Sequence, residues 1–227
     1  MLDFIFPKTC YICQKEGDYL CNECFKRFIK VDPINKCHIC NRESRIGFVH
    51  NECRELTYLE GVVNLTVYDG VIKNIIYDIK YNYYFAITET LGKIMSDFLQ
   101  FYSFNSYNTV LTFVPTSKKK YVLRGFNQSE LLTRHLSKYS GINCVKFLSK
   151  THNTGAQAKL HKFERAENLK DAFILHENIS KESNIVNIII VDDVFTTGAT
   201  LNECAKIIKS KFPKVNIFGF VIAKARD

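Results

Sequence analysis

Ile188-Ile189-Ile190-Val191-Asp192-Asp193-Val194-Phe195-Thr196-Thr197-Gly198-Ala199-Thr200 is the stretch on which the reading of this chain turns. The apolar run from Val186 to Val191 has the texture of a strand buried on both faces, which is how strands read in parallel sheets covered by helices. From Thr200 to Lys211, Leu201, Cys204, Ala205 and Ile208 recur at helical spacing, so the strand feeds a helix. Between the two lie a pair of carboxylates and a run of small and hydroxyl-bearing residues. In such folds ligands bind just outside the carboxyl ends of the strands. The N–H groups from Thr196 through Thr197, Gly198 and Ala199 to Thr200, their three hydroxyls and the helix N-terminus behind them can surround a phosphate. Asp192 and Asp193 are acceptor-only groups placed for sugar hydroxyls. An ordinary strand-to-helix turn has capping Thr and exposed acids, but not this whole pattern. The combination describes a cradle for a ribose 5-phosphate.

Outward from this run, short β-type segments alternate with helical ones. Val62 to Tyr68 is an expected strand, and Val71 to Lys80 a helix with Ile72, Ile75, Ile76 and Ile79 on one face. A helix is expected from Ile87 to Phe101, a strand from Thr109 to Val114 and a helix from Ser129 to Lys138. Strands at Cys144 to Leu148 and Val215 to Ile222 complete the series. Such alternation predicts an α/β fold, a mainly parallel sheet flanked by helices.

The net charge is +8, and its distribution is uneven. Residues 1–55 hold nine Lys/Arg against eight Asp/Glu, whereas Val114 to Lys170 holds twelve against three. A basic excess confined to one segment points to an anionic partner. At the start of that segment Pro115-Thr116-Ser117-Lys118-Lys119-Lys120 leaves a strand end beside Arg124-Gly125-Phe126-Asn127-Gln128. A short polar cationic loop of this kind suits a diphosphate, which needs N–H donors and Lys; the plainer reading is a solvated basic loop.

Seven of the nine cysteines precede residue 54. Cys10-x-x-Cys13, Cys21-x-x-Cys24, Cys37-x-x-Cys40 and His50-x-x-Cys53 are four pairs at the spacing that lets a tight knuckle present two ligands to one zinc. Two structural sites follow, one of four cysteines and one of three cysteines with a histidine. His38 is a rival to His50, and the spacing also permits a crossed arrangement in which the first and third pairs share an ion. Residues 1–55 therefore read as a small zinc-ribbon module and 56–227 as the α/β domain. The opening Met1 to Pro7 has no basic leader or long apolar run, so export is not expected, and paired cysteines then read as metal ligands in a reducing cytoplasm. No apolar stretch reaches the length of a membrane helix, and no membrane insertion is expected.

The run Ile188 to Thr200 resembles the signature of type I phosphoribosyltransferases, and it matches throughout. That resemblance implies binding of 5-phosphoribosyl 1-diphosphate with Mg²⁺. Asp192 and Asp193 would take the ribose hydroxyls, Thr196 to Thr200 the 5-phosphate, and Thr116, Ser117, Lys118 and Arg124 the diphosphate. Arg124-Gly125-Phe126-Asn127-Gln128, with the later Gln157-x-Lys159-Leu160, Arg165 and Asn168, resembles the ComF (ComFC) family over essentially the whole chain. These are phosphoribosyltransferase-like proteins with an amino-terminal zinc module, associated with DNA uptake in natural competence. The chain departs from the family at Ala156, where Pro is usual, and at His50, where Cys is usual. The segment from Lys150 to Asn168 corresponds to the loop that closes over phosphoribosyltransferase sites.

Two functions of different class follow. In the first the chain is enzyme-like: diphosphate leaves the anomeric carbon, Lys118 neutralises it and Asp193 acts as base. In the second it is a non-catalytic competence factor that grips single-stranded DNA by its phosphates, alongside other proteins of the competence machinery. The aromatic cluster Tyr81, Tyr83, Tyr84 and Phe85 could stack on bases, although a place in the core is the expected one. No segment is recognisable as a nucleobase pocket, so no acceptor is named.

Overall fold

Four consecutive branched residues divide between the two sides of one sheet. Ile189 and Val191 belong to one buried cluster, Ile188 and Ile190 to another. That division is the two-residue alternation of a strand with apolar layers on both sides. The computed structural model describes residues 7–29, 36–102, 104, 106–151, 172–176 and 184–225. The segment expected to close over the site, with Gly155, Ala156, Gln157, Lys159, Leu160, Lys162, Arg165 and Asn168, lies outside the described residues.

Along the chain the elements are α1 (Asn22–Phe28), β1 (Gly61–Val67), α2 (Gly70–Tyr81), α3 (Thr88–Leu99), β2 (Thr109–Phe113), α4 (Lys118–Arg124), α5 (Gln128–Ser140), β3 (Leu148–Lys150), β4 (Phe173–Leu175), β5 (Asn187–Phe195), α6 (Ala199–Lys211) and β6 (Asn216–Lys224). Strands β1, β6, β5 and β2, in that order, form a sheet in which every neighbouring pair is parallel. The expected parallel sheet flanked by helices is what the chain adopts. Ile72, Ile75, Ile76 and Ile79 of α2 are all buried, as their spacing predicts, in one cluster with Leu91 and Met95 of α3 and Leu132 and Leu136 of α5. Full burial stabilises each such side chain by about 2 kcal/mol. On the other side Leu201, Cys204, Ala205 and Ile208 of α6 meet Ile188, Ile190, Ile217 and Val221.

Three local expectations are corrected. Residues 144–148 do not form a strand: Cys144 makes a single bridge to Leu111, and the strand begins at Leu148, pairing antiparallel with β4. Phe147 and Leu148 pack into the same buried cluster, whereas consecutive residues of a regular strand point to opposite faces. The lysines after Ser117 are not a loop but the first turn of α4. Ser117 caps it by accepting from the Lys120 N–H at 3.3 Å, and Gly125, at φ 78°, ends it. Finally, Asp192 and Asp193 do not follow the strand but lie within it, since β5 stays paired with β6 as far as Phe195.

The amino-terminal segment meets the α/β layers in two places. Cys10, Leu20, Cys24 and Ile29 belong to the same buried cluster as α2 and α3. Lys8 pairs with Glu89 at 2.7 Å, Tyr11 donates to Asp78 at 2.5 Å, and Thr90 donates to Asp18. Cys37, Val49 and Cys53 form a small cluster of their own. That part attaches through a Phe48–Gly61 bridge, the Val49 N–H to Glu60 O bond at 2.8 Å, and Phe48 edge-on to Phe218.

Candidate functional site

Toward the end of β5 the acidic pair is held by partners from two helices, α2 and α5. Lys80, on the last turn of α2, reaches Asp193 Oδ2 at 2.7 Å, and Gln128 Nε2 donates to the same oxygen at 3.1 Å. Gln128 is in turn oriented by Arg124, whose guanidinium donates to Gln128 Oε1 at 3.1 Å and lies over the Tyr81 ring at 5.3 Å. Ser129 Oγ donates to Asp192 Oδ1 at 2.8 Å, and the Asp193 N–H reaches the same atom at 2.9 Å. Asn127 fixes this corner, with its amide donating to Val114 O and its Oδ1 accepting from the Ser129 N–H. Burial, followed by the neighbouring charge of Asp193, pushes the Asp192 carboxyl up to about 7, against the Ser129 hydrogen bond and Lys80. For Lys80 burial pulls the other way, but Asp193 outweighs it and keeps the ammonium charged.

A cationic wall faces the pair. Arg124 is buried, and its Nε has no hydrogen-bond partner. Burial and then the charges of Arg124 and Lys80 lower the Lys120 ammonium, and burial and then Lys120 lower that of Lys150. Asp193 and Asp192 act on the Lys120 ammonium in the opposite sense. A buried guanidinium with an unmet donor and two ammoniums disfavoured by neighbouring cations together make a place where an anion is stabilised.

The loop Thr196 to Gly198 leads into α6, and Gly198 sits at φ 77°. A Cβ there would stand 2.7 Å from the Phe195 ring, so both backbone conformation and space exclude a side chain. Thr196 and Thr197 are exposed, Ala199 and Thr200 half-buried, and a small cavity is lined by Asp192, Phe195, Thr196, Gly198, Ala199 and Thr200. The structure thus gathers Asp192, Asp193, Gly198 and Thr200 at one strand end. Thr116 and Ser117 lie across from them, ahead of α4, where Ser117 is buried and committed to its cap. The residues missed from the sequence are Lys80 and Ser129. Lys80 is the last residue of the helix expected from Val71, and no local signal ties it to Asp193, 113 residues later.

The eight expected metal ligands separate into two groups. The atoms of Cys10, Cys13, Cys21 and Cys24 lie within 4.8 Å of one another, as do those of Cys37, Cys40, His50 and Cys53, and each group could hold a zinc ion. The pairs are sequential rather than crossed. All nine cysteines are free thiols. His50 directs Nδ1 at Cys40 Sγ, 3.2 Å away, and Nε2 at Glu43 O, 2.9 Å away, the outer hydrogen bond that fixes a ligating imidazole. His38 is turned away from the thiols, with Nε2 3.3 Å from Thr57 Oγ1 and its ring edge-on to Phe195 at 5.9 Å. Burial pushes the Cys10 thiol up, but the N–H groups of Cys13, Cys21 and Ile12 bring it down to about 6, while burial drives Cys24 up to about 12. Four crowded thiols do not ionise together without a cation among them.

The aromatic cluster is not core as expected. Tyr81, Tyr83 and Phe85 are exposed, together with Tyr77 and Tyr121; of the four named, only Tyr84 is half-buried, against Tyr11 and Tyr19.

No family model matches this chain. Competence protein ComFC of Bacillus subtilis is 26% identical over 220 residues, spanning 93% of this chain and 86% of that protein. Competence protein F of Haemophilus influenzae is 40% identical over 88 residues, 38% of either chain. DNA utilization protein YhgH of Escherichia coli is 36% identical over 98 residues, 42% of this chain and 40% of that one. Among solved structures, a hypoxanthine phosphoribosyltransferase from Staphylococcus aureus overlaps 62% of this chain and 66% of its own, at 12% identity and a TM-score of 0.38. A hypoxanthine-guanine phosphoribosyltransferase from L. donovani does so over 61% and 65%, at 14% and 0.32.

Proposed function

We propose that this chain, a relative of the ComF (ComFC) competence proteins along nearly its whole length, binds 5-phosphoribosyl 1-diphosphate with Mg²⁺ and serves the uptake of DNA in the cytoplasm. In this reading residues 56–227 are the phosphoribosyltransferase-like domain and residues 1–55 a module with two structural zinc ions. The observation that carries it is the end of β5, where an acidic pair and a small-residue loop face a wall of cations. Asp192 and Asp193 hold the ribose hydroxyls, and the N–H groups and hydroxyls from Thr196 to Thr200 take the 5-phosphate. Arg124, with its unmet Nε, and Lys118 and Lys120 of α4 take the diphosphate, helped by Thr116 and Ser117. Asp192 and Asp193 would also support Mg²⁺, whose charge would offset that of the diphosphate. Asp193, released from Lys80 and Gln128, is the base should an acceptor attack.

Calorimetry with phosphoribosyl diphosphate and Mg²⁺ tests this. Asp192→Asn with Asp193→Asn should weaken binding by at least ~100-fold, about 2.7 kcal/mol, while the chain stays folded. Parent-like affinity in the double variant removes the site assignment.

A second reading is favoured by the exposed aromatics beside α4. Tyr77 and Tyr81 pack with centroids 4.8 Å apart, and Tyr121 is exposed on the lysine helix itself. Bases stack on such rings while lysines meet the backbone, so single-stranded DNA is the partner this surface fits. Replacing Lys118, Lys119 and Lys120 by Ala should flatten the salt dependence of DNA binding, and Tyr121→Ala should weaken binding without changing that slope. Fluorescence anisotropy at several salt concentrations measures both. No binding at low salt would leave the small-molecule reading alone.

A further inference from the structure

We infer that the second cysteine–histidine module sets the shape of the Thr196 to Thr200 loop, with His38 and Thr57 as positioning residues; its consequence for ligand affinity rests on the phosphoribosyl-diphosphate reading. The loop is gripped at both ends by residues that flank the second ligand group, His38 and, through Lys224, Asn41 at its start, and Thr57 and Tyr58 at its end. At its start, Phe195 receives the edge of His38 at 5.9 Å and the Lys224 ammonium over its ring at 5.9 Å. Lys224 Nζ also donates to Asn41 Oδ1 at 3.5 Å. At its end, Asn202 Oδ1 accepts from the Thr57 hydroxyl at 2.9 Å and from the Tyr58 N–H at 2.7 Å. The Asn202 N–H in turn bonds Gly198 O at 2.9 Å. Thr57 joins the two grips, because its hydroxyl lies 3.3 Å from His38 Nε2.

The Phe195 ring fills the space beside Gly198 that a Cβ would need, so a shift of the ring is a shift of the loop. His38 sits inside the Cys37-x-x-Cys40 knuckle and Asn41 directly after it, while Thr57 and Tyr58 follow Cys53. Ligation of one metal by Cys37, Cys40, His50 and Cys53 therefore fixes the backbone that presents His38, Asn41, Thr57 and Tyr58 to the two grips. A zinc module that merely filled space would have no reason to reach the strand end and the first turn of α6 through one connected set of side chains. His38, a rival ligand on spacing alone, acquires a role here: it carries the rigidity of the knuckle to Phe195.

Thr57→Val removes the hydroxyl at constant shape, and Thr57→Ser restores it. Zinc content, amide order parameters of Thr197, Gly198 and Ala199 by NMR, and affinity for phosphoribosyl diphosphate with Mg²⁺ would be measured on the full chain. The expected result for Thr57→Val is two zinc ions, order parameters falling from ~0.85 toward ~0.6, and affinity lower by ~10-fold. Thr57→Ser should behave as the parent. His38→Ala should loosen the loop in the same way, and His38→Phe, which keeps an aromatic edge on Phe195, should not. Unchanged order parameters in Thr57→Val and His38→Ala overturn the inference, and so does loss of zinc from Thr57→Val. A parent that fails to bind the ligand overturns the proposed function instead, and the order parameters, which need no ligand, still decide this one.

Discussion

The two cysteine clusters share a ligand chemistry and differ in what surrounds them. The first contributes Cys10, Leu20, Cys24 and Ile29 to the main core, against the isoleucines of α2, and is tied down by Lys8–Glu89 and Tyr11–Asp78. Among the described residues the second has a buried core of Cys37, Val49 and Cys53 alone, and its contacts run to Phe195, Asn202 and Lys224 at the carboxyl end of the sheet. Equal coordination does not imply equal roles. The first cluster braces the fold, and the second braces a loop.

The largest expected effect tests that contrast directly. Replacing Cys10 and Cys13 by Ser should remove one zinc and lower the melting temperature of the whole chain by ~10 °C, because several side chains worth about 2 kcal/mol each lose their partners in a shared core. Replacing Cys37 and Cys40 by Ser should also remove one zinc, cost only ~3 °C, and weaken phosphoribosyl-diphosphate binding. Metal analysis, scanning calorimetry and binding titrations on both variants decide. Equal losses of melting temperature would erase the distinction between the sites.

A smaller effect should appear at the acidic pair of β5, where a buried carboxyl is held against its charge. The folded-state pKa of Asp192 is raised to about 7, above its ordinary value of 3.8, so the fold favours the protonated acid. Ionising it therefore costs stability; the cost is absent below about pH 4 and complete above about pH 7. Asp192→Asn should melt a few degrees higher than the parent at pH 8, with the gap closing as the pH falls to 5. No such stabilisation is expected from changes near the first cluster, and a pH-independent gap would show that Asp192 is not held against its charge.

Much of the site was legible in the sequence because its signals are local. Asp192, Asp193 and Gly198 are neighbours, and the chemistry of a strand end followed by a small-residue loop is written in consecutive letters. Lys80 was not legible, because its distance from Asp193 is short only in space. The exposed aromatics were misjudged for a related reason: composition says that rings bury area, and only packing says which rings find none to bury.

By itself the sequence determined the parallel sheet and its helices, and it marked the small-residue loop after the acidic pair and eight candidate metal ligands, since periodicity and short-range spacing carry each of them. Tertiary structure alone decided that the cysteine pairs are sequential, that Lys80 pairs with Asp193, and that His38 turns from the thiols toward Phe195. Each of these joins residues far apart along the chain, and such pairings are settled by which surfaces bury together, not by any local pattern of residues.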